Sequence, residues 1–314
     1  MTLSKDVTDI CLAAGFSKSE LQQLEKGQLI QGILDSTGEK EIAAKLGCLI
    51  HADANELSEV FLTSSQRLEI DSSAKQLGTM EEESLATLKL EPNTSAVVKE
   101  YLNVKAGSDL NLSKAEMDEF HSLPKGASQS QVEELLRTIL KRRYESYQQT
   151  GLDGGIPPYH RKGGDYSAGP ELKHKTKLLK SMEKLAPDFY KYMNHYPNDK
   201  PDGLEESFSW VLFEIEGQPT IALVHKMGTF LQKDNIYVFS QRHYYVSRGH
   251  NSVQATGGVF PYGDGTSSVV LYGSRTSTDR VGGFGGAAKR AMGGRIMGGK
   301  IAQNLKAAQA KYNK

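Results

Sequence analysis

The densest group of side chains that could do chemistry in this 314-residue chain is a polar and aromatic run in its last quarter. It reads QRHYYVSR over residues 241–248, and His250 follows it. Successive side chains of a strand point to opposite faces, so Gln241, His243 and Tyr245 would share one face. A few polar anchors among aromatic rings are typical of a small-molecule site. Cross-strand aromatic pairs above a solvated face are the alternative interpretation.

Neighbouring segments with strand character carry further polar and aromatic side chains. A carboxylate, a histidine and tyrosines suffice for general acid–base catalysis where they converge in one pocket. A separate structural role for each residue is the alternative, and no side chain is assigned a catalytic role. The candidates for ligand binding are Trp210, Glu214, His225, Gln241, His243, Tyr245, Tyr272 and Arg275.

Metal and nucleotide motifs are not recognisable in the sequence. The histidines at 225, 243 and 250 lack the close spacing of zinc ligands. The segment GGFGGAAKR places glycines before a helix start, as a phosphate-binding loop does, but its spacing fits no nucleotide-binding fingerprint. We therefore expect neither a metal site nor a cofactor.

Composition narrows the class of protein and its compartment. The chain has 38 basic and 38 acidic side chains, which argues against a protein that coats nucleic acid. Its start, MTLSKDVTD, lacks the pattern of a secretory signal, and no apolar run approaches membrane-spanning length. The cysteines are Cys11 and Cys48, and the apolar alternation around Cys48 favours a core thiol over a catalytic one. We expect a cytoplasmic protein that binds no nucleic acid.

The elements that must position the candidates begin with a short lead-in over residues 1–28. Ser17 and Glu20 have the spacing of a capping box, which predicts a helix there. Alternating apolar residues then predict a strand that runs directly into a helix, together covering residues 40–62.

A long insertion, predicted to be mostly helical, covers residues 63–206. Its clearest helix begins near Gln129, follows one apolar stripe and ends at Gly151. Residues 151–169 are rich in glycine and proline, so they form either a linker or a long functional loop. A second helical stretch, interrupted by a proline, follows this loop.

Five strand segments joined by short turns predict an antiparallel meander over residues 207–277. A helix over residues 284–312 follows, because Met297, Ile301 and Leu305 have helical spacing. Its repeated glycine pairs weaken it, each glycine costing about 1 kcal/mol relative to alanine. Glycine permits close approach, so we expect this helix to lie directly on the sheet or against a ligand.

Three segments together resemble the START-like, or helix-grip (SRPBCC), superfamily. They are the strand EIAAKLGCLIHAD with its helix ANELSEVFL, the meander, and the C-terminal segment VGGFGGAAKRAMGGRIMGGKIAQNLKAAQAKY. The segments QRHYYVS and GGFGGAAKRAMGGRIM are also similar to parts of large uncharacterised bacterial proteins. The resemblance implies an α+β domain over residues 29–314, with an antiparallel sheet wrapped around a long C-terminal helix. The insertion is longer than the connection usual in the superfamily.

The resemblance also implies where a site would lie. In this superfamily a cavity between sheet and C-terminal helix holds lipids, sterols, polyketides or other apolar molecules. We therefore expect an apolar or amphipathic small molecule as the ligand. An enzyme of cyclase, dehydratase or hydrolase type that uses the same cavity is one alternative. The superfamily has no shared catalytic signature, so the resemblance assigns no active residue.

A third interpretation comes from charge at the C-terminus. The chain has no acidic residue after Asp279, and a basic amphipathic helix can bind an anionic membrane or partner. Packing on the sheet with a solvated basic face is the alternative. The candidates for contact with an anionic partner are Lys289, Arg290, Arg295, Lys300 and Lys306.

Overall fold

The computed structural model describes residues 3–58, 74–90, 94–283 and 285–313. Within this part the fold is α+β, with one eight-stranded antiparallel sheet in the order β1-β2-β8-β7-β6-β5-β4-β3. The strands are β1 Ile30–Ile33, β2 Glu41–Ile50, β3 Gln76–Thr79, β4 Glu205–Ile215, β5 Gln218–Leu231, β6 Ile236–Val246, β7 Ser252–Tyr262 and β8 Ser267–Ser277.

The described residues form ten helices with defined bounds. They also contain the helical residues 54–58 and a 3-10 turn at Asp279–Val281. The helices are α1 Lys5–Ala13, α2 Lys18–Glu25, α3 Glu82–Ala86, α4 Thr94–Leu102, α5 Lys114–His121, α6 Gln129–Thr150, α7 Ala168–Lys177, α8 Lys180–Leu185, α9 Pro187–His195 and α10 Gly286–Tyr312.

Local signals account for most of these boundaries. The capping box of Ser17 and Glu20 is formed at the start of α2, and Gly151 ends α6 with a positive φ of 60°. The helix predicted after β2 begins in residues 54–58, and the rest of it, residues 59–62, lies outside the described residues.

Two edge strands were not predicted from the sequence. β1 follows the lead-in, and β3 lies within the insertion that was expected to be mostly helical, where it pairs with β4. Both strands have four residues, which is too short for alternation to identify a strand in the sequence. Their positions depend instead on pairing with β2 and β4.

The sheet has a hydrophobic core on each face. On one face, buried residues of α6 such as Leu136 and Tyr147 pack with the insertion helices against the strands. On the other face, Cys48 of β2 packs with Ile301 and Leu305 of α10. Burial raises the pKa of the Cys48 thiol to about 12, so this cysteine is an unreactive core residue.

Glycines in α10 explain how this helix lies against β1 and β2. A Cβ on Gly293 would lie 2.7 Å from Cδ1 of Ile42, and one on Gly298 would lie 2.9 Å from Nε2 of Gln31. Gln31 also donates a hydrogen bond from Nε2 to the carbonyl of Arg295, at 3.0 Å. The close approach expected from the glycine pairs is present, and it offsets their cost to helix stability.

A β-bulge divides β6 into two registers. Tyr245 pairs with Leu223, whereas His243 pairs with Val224, so Tyr244 is an extra residue on β6. A bulge breaks the alternation of side chains. As a result Tyr244 and Tyr245 both pack on the face covered by the insertion helices.

Candidate functional site

A cavity of about 420 Å³ lies between the sheet and α10, on the face opposite the insertion helices. Strand β6 contributes Gln241 and His243 to its wall, and β8 contributes Tyr272. The further wall residues from the sheet side and its loops are Ile42, Phe213, Ile215, Gly249, His250, Val253, Ser274, Thr276, Thr278 and Val281. Helix α10 covers the cavity with Gly293, Ile296, Met297 and Ile301.

Polar groups at the wall are few and poorly satisfied. Nε2 of Gln241 lies 3.0 Å from Nε2 of His243. Three other polar atoms of the wall, Oε1 of Gln241, Nδ1 of His243 and Nε2 of His250, are buried without a hydrogen-bond partner in the described part of the chain. Such atoms are uncommon in folded proteins, and a water molecule or a bound group can satisfy them.

The two histidines of the wall are neutral. Burial, with smaller contributions from His250 and Lys226, lowers the pKa of His243 to about 3. Burial, with smaller contributions from the cations Lys175 and Arg280, lowers the pKa of His250 to about 4. Neither ring therefore provides a positive charge near neutral pH.

Charged side chains of the cavity lie in ion pairs that reach solvent. Nη1 of Arg280 is 2.8 Å from Oε2 of Glu216, and these side chains are 36% and 75% exposed. Glu214 lines the cavity as well and lies 3.9 Å from Nζ of Lys75. The cavity thus combines an apolar wall, a neutral polar group and a charged rim.

The structure brings together some of the residues that the sequence singled out and separates others. Glu214, Gln241, His243 and Tyr272 line the cavity. Arg275 does not, because its Nη1 donates to the carbonyl of Asp35 and to Oε2 of Glu41, both at 3.1 Å.

Trp210, His225 and Tyr245 lie on the opposite face of the sheet, which corrects the expectation that Tyr245 accompanies His243. The ring of Tyr245 stacks 4.3 Å from the guanidinium of Arg143 on α6, because the bulge at Tyr244 turns it there. Trp210 is 1% exposed and belongs to the core beneath the insertion helices.

His225 belongs to a separate buried network. Its Nδ1 lies 3.0 Å from the hydroxyl of Tyr147, and its Nε2 lies 3.1 Å from Oε2 of Glu206. Arg242 donates to the same Tyr147 hydroxyl at 3.0 Å. Burial lowers the pKa of His225 to about 4, although the hydrogen bond to Glu206 opposes this shift.

Histidines 225 and 243 cannot serve one catalytic site. His243 pairs with Val224, so it shares the face of Val224, and the next residue, His225, points the other way. The convergence that an acid–base enzyme would need from these two side chains is therefore not present.

Sequence reasoning missed a lysine with catalytic chemistry. Nζ of Lys175 lies 2.5 Å from Oγ of Ser277, which donates to Oε1 of Glu171 at 2.6 Å. Burial lowers the pKa of Lys175 to about 8, and a lysine next to a serine hydroxyl can activate a nucleophile. The side chain of Lys175 is 1% exposed and Ser277 is 3% exposed. This group therefore anchors α7 to β8 without access for a substrate.

Most residues of the cavity were not among the sequence candidates, and His250 and Arg280 are two polar examples. His250 directly follows the polar run, so its position was a usable signal. Arg280 had none, because a basic residue before a basic helix resembles every other solvated charge.

The basic residues of α10 that are described lie at the surface. Lys289, Arg295 and Lys306 are exposed, and Arg290 donates from Nη1 to the carbonyl of Glu39 at 2.9 Å. The side chain of Lys300 lies outside the described residues. Two large apolar side chains on the same helix are also exposed, Met292 at 64% and Ile296 at 58%.

The described residues contain no group of three or more His, Cys, Asp or Glu side chains placed to hold a metal ion. Among the helices in the described ranges, none is both long and apolar enough to cross a bilayer. Neither the protein-family models nor the curated proteins compared with the chain match its sequence. Its function is therefore inferred from the geometry of the described residues.

Proposed function

We propose that the chain is a START-like protein of the helix-grip type that binds an apolar or amphipathic small molecule between its sheet and α10. The observation that carries this proposal is the cavity of about 420 Å³ at that position. Ligand pockets in proteins have volumes of about 300–1,000 Å³, with mostly apolar walls and a few placed polar groups. The cavity meets both conditions, through residues such as Phe213, Val253 and Met297 on one hand and Gln241 and His243 on the other.

Helix α10 supports the proposal through its packing. Its glycines bring it close to β1 and β2, whereas the cavity lies beside β6, β7 and β8. Helix α10 therefore packs directly on β1 and β2, and it also covers the cavity beside β6, β7 and β8.

Filling the cavity should weaken ligand binding. Val253 lines the cavity and is 9% exposed, so a phenylalanine at this position would project into the volume. We expect Val253→Phe to weaken binding of the neutral dye N-phenyl-1-naphthylamine by at least about tenfold, a loss of about 1.4 kcal/mol or more. Fluorescence titration measures this, and native mass spectrometry of the purified protein identifies any small molecule that is already bound.

The matched control is Met292→Phe, which adds the same ring at a side chain that is 64% exposed. Its dye affinity should equal that of the wild type. Equal affinity of Val253→Phe and the wild type, with both proteins folded by circular dichroism, would contradict the proposal.

A second function, attachment to an anionic membrane surface, is favoured by the exposed side of α10. Met292 and Ile296 are exposed there beside Lys289 and Arg295, and the helix contains no acidic residue. Apolar side chains flanked by cations are suited to the boundary between headgroups and acyl chains. Ile296 also lines the cavity, so such attachment would place the cavity next to the lipid.

Reversing charge on α10 should weaken membrane attachment. Each basic residue near an anionic surface contributes about 1 kcal/mol, so Lys289→Glu combined with Lys306→Glu should reduce binding to phosphatidylserine vesicles by at least about tenfold. Added salt should have a similar effect, since it screens exposed charge. Co-sedimentation at low and high salt measures both effects.

A double variant with the same change in net charge, Lys105→Glu with Lys125→Glu, alters exposed residues elsewhere on the chain. It should sediment with the vesicles as the wild type does. Equal binding to phosphatidylserine and to neutral phosphatidylcholine vesicles is the result that would exclude this function.

A further inference from the structure

The chemistry of the ligand can be read from the polar atoms of the cavity wall. Gln241 is 3% exposed and His243 is 8% exposed. Oε1 of Gln241, Nδ1 of His243 and Nε2 of His250 have no hydrogen-bond partner among the described residues. Burying a donor or acceptor without a partner destabilises a fold, so these atoms are expected to bind a group that enters the cavity.

The hydrogen bond between Gln241 and His243 determines which hydrogen-bonding atoms the ligand group must have. Their Nε2 atoms are 3.0 Å apart. If the amide NH₂ of Gln241 donates to the ring, Nδ1 of His243 carries the proton, which leaves a donor at Nδ1 and an acceptor at Oε1. If the amide is turned over, the ring donates to the amide oxygen, which leaves an acceptor at Nδ1 and a donor at the amide nitrogen. Both arrangements present one donor and one acceptor to the cavity.

Charge in and near the cavity bears on whether the ligand is ionised. His243 and His250 are neutral, since burial lowers the pKa of both rings far below neutral pH. The carboxylates Glu214 and Glu216 line the cavity, and the guanidinium of Arg280 is paired with Glu216.

The remaining nearby cations lie around the cavity. Lys75 is 3.9 Å from Glu214, and Lys226 faces Gln241 across the pairing of β5 with β6. Lys175 lowers the pKa of His250 from the opposite side of the sheet, where its Nζ contacts Ser277. An ionised carboxylate would lose its hydration on entering the cavity, where the polar group offers it neutral partners. The positive field of Lys226, Lys175 and Arg280, which lowers the pKa of the two histidines, offsets part of that cost.

We propose that the ligand is an un-ionised molecule with an apolar body and one hydroxyl or carboxamide group, held by Gln241, His243 and His250. Both groups combine a donor with an acceptor, as the Gln241–His243 pair requires. This inference rests on the proposed function, because it concerns the ligand of the same cavity.

Four probes with the same chain length test the inference near neutral pH. They are 1-decanol, decanamide, decyl methyl ether and decanoate, each titrated as a competitor of N-phenyl-1-naphthylamine on the full chain. We expect the alcohol and the amide to bind at least about tenfold more tightly than the ether, which cannot donate, and than the ionised acid.

Two variants test whether Gln241 and His243 cause the preference for 1-decanol over the ether. Gln241→Met and His243→Phe remove hydrogen-bonding atoms and keep most of the side-chain volume. In each, the preference for 1-decanol over the ether should fall to within about threefold, while the ether keeps its affinity. Gln22→Met is the matched control, because it makes the same substitution at an exposed residue of α2 that does not line the cavity. Its preference should equal that of the wild type.

The outcomes separate the two proposals. If neither the dye nor any of the four probes binds, the proposed function is wrong. If the probes bind and decanoate binds as tightly as 1-decanol, the cavity is a ligand site but the inferred ligand class is wrong. A tenfold preference that survives in both Gln241→Met and His243→Phe would also overturn the inference. Titration of the dye and the four probes on the wild type alone shows whether the cavity binds a ligand and which class of ligand it prefers.

Discussion

Replacing Arg143 by methionine should lower the free energy of unfolding by about 3–5 kcal/mol, the usual cost of removing one partner of a buried ion pair. Nη2 of Arg143 on α6 lies 2.5 Å from Oε2 of Glu116 on α5, and the two side chains are 2% and 4% exposed. The guanidinium also lies 4.3 Å from the ring centroid of Tyr245 on β6. The variant would leave the carboxylate of Glu116 buried without its cation and would remove a contact between α6 and the sheet.

The preceding residue provides the control. Arg142 on the same helix also pairs with a residue of α5, since its Nη2 lies 2.6 Å from Oε1 of Glu119, but these side chains are 52% and 34% exposed. Solvent screens this pair, so Arg142→Met should cost less than about 1 kcal/mol. Urea denaturation of both variants gives the comparison. Similar costs for the two would show that burial of the Arg143–Glu116 pair contributes nothing beyond a surface ion pair.

Adding Glu116→Gln to Arg143→Met should restore part of the lost stability. The double variant removes the uncompensated charge, and the glutamine can still accept the hydrogen bond that Glu116 Oε2 receives from the backbone N–H of Ser113 at 2.7 Å. A double variant less stable than Arg143→Met would contradict the view that an uncompensated charge on Glu116 causes the loss.

Local sequence patterns were sufficient for β2, for β4 to β8 and for the setting of α10, but not for the short strands β1 and β3. Turn signals and apolar runs predicted the segments that form β4 to β8, because each of these strands is long and separated by a short turn. The glycine pairs predicted close approach of α10, because glycine is costly inside a helix but lets a neighbouring element lie closer than a Cβ would allow. Gly293 above Ile42 is an example of this close approach.

The residues that line the cavity were harder to predict than the strands, because the face on which a side chain lies depends on the pairing between strands. Whether Tyr245 faces the cavity is decided by the bulge at Tyr244, and the bulge arises from the register of β6 against β5. No pattern within β6 alone contains this register. Similarly, His225 and His243 resemble each other in the sequence, and only the alternation on two adjacent strands places them on opposite faces.

The sequence also did not show which charged side chains are buried. Arg142 and Arg143 are consecutive basic residues on α6, yet the side chain of one is 52% exposed and that of the other is 2% exposed. The difference comes from the angular position of each residue relative to the sheet, which becomes known once the helix is packed.

Acidification should destabilise the protein between pH 6.5 and pH 4, because several histidines are buried in the neutral form. The pKa of His225 is lowered from 6.5 to about 4, mainly by burial, that of His250 to about 4 and that of His243 to about 3. Each histidine binds a proton at higher pH in the unfolded chain than in the folded one. The unfolded state therefore gains protons first as the pH falls, and stability is lost across this window.

The loss in the free energy of unfolding should be large. A shift of one pKa unit corresponds to about 1.36 kcal/mol, so His225 alone accounts for a loss of about 3 kcal/mol by the lower end of the window. Glu206 extends the decline to lower pH. Burial opposes the shift, but hydrogen bonds from His225, Lys200 and Tyr192 lower its pKa from 4.5 to about 2, so its contribution is lost as the pH falls through that range.

Urea unfolding at several pH values measures this dependence, and two variants assign it. His243→Gln should make the decline in stability below pH 6.5 shallower, because it removes one of the groups that titrate differently in the two states. His51→Gln is the matched control, because it makes the same substitution at an exposed histidine outside the three buried sites. Stability that stays constant from pH 6.5 to pH 4 would mean that the folded state accommodates protonated imidazoles at these buried sites.

The same titration connects stability to the ligand. A hydroxyl or carboxamide group held by the neutral ring of His243 binds the folded state in which that ring is unprotonated. Such binding stabilises the folded state further and leaves the protonated, unfolded chain unchanged. Saturating the protein with 1-decanol should therefore raise stability by a similar amount from pH 6.5 to pH 4 and leave the slope of the decline unchanged, because His243 is already unprotonated in the folded state across this window. In His243→Gln, the part of the stabilisation that depends on His243 should be lost.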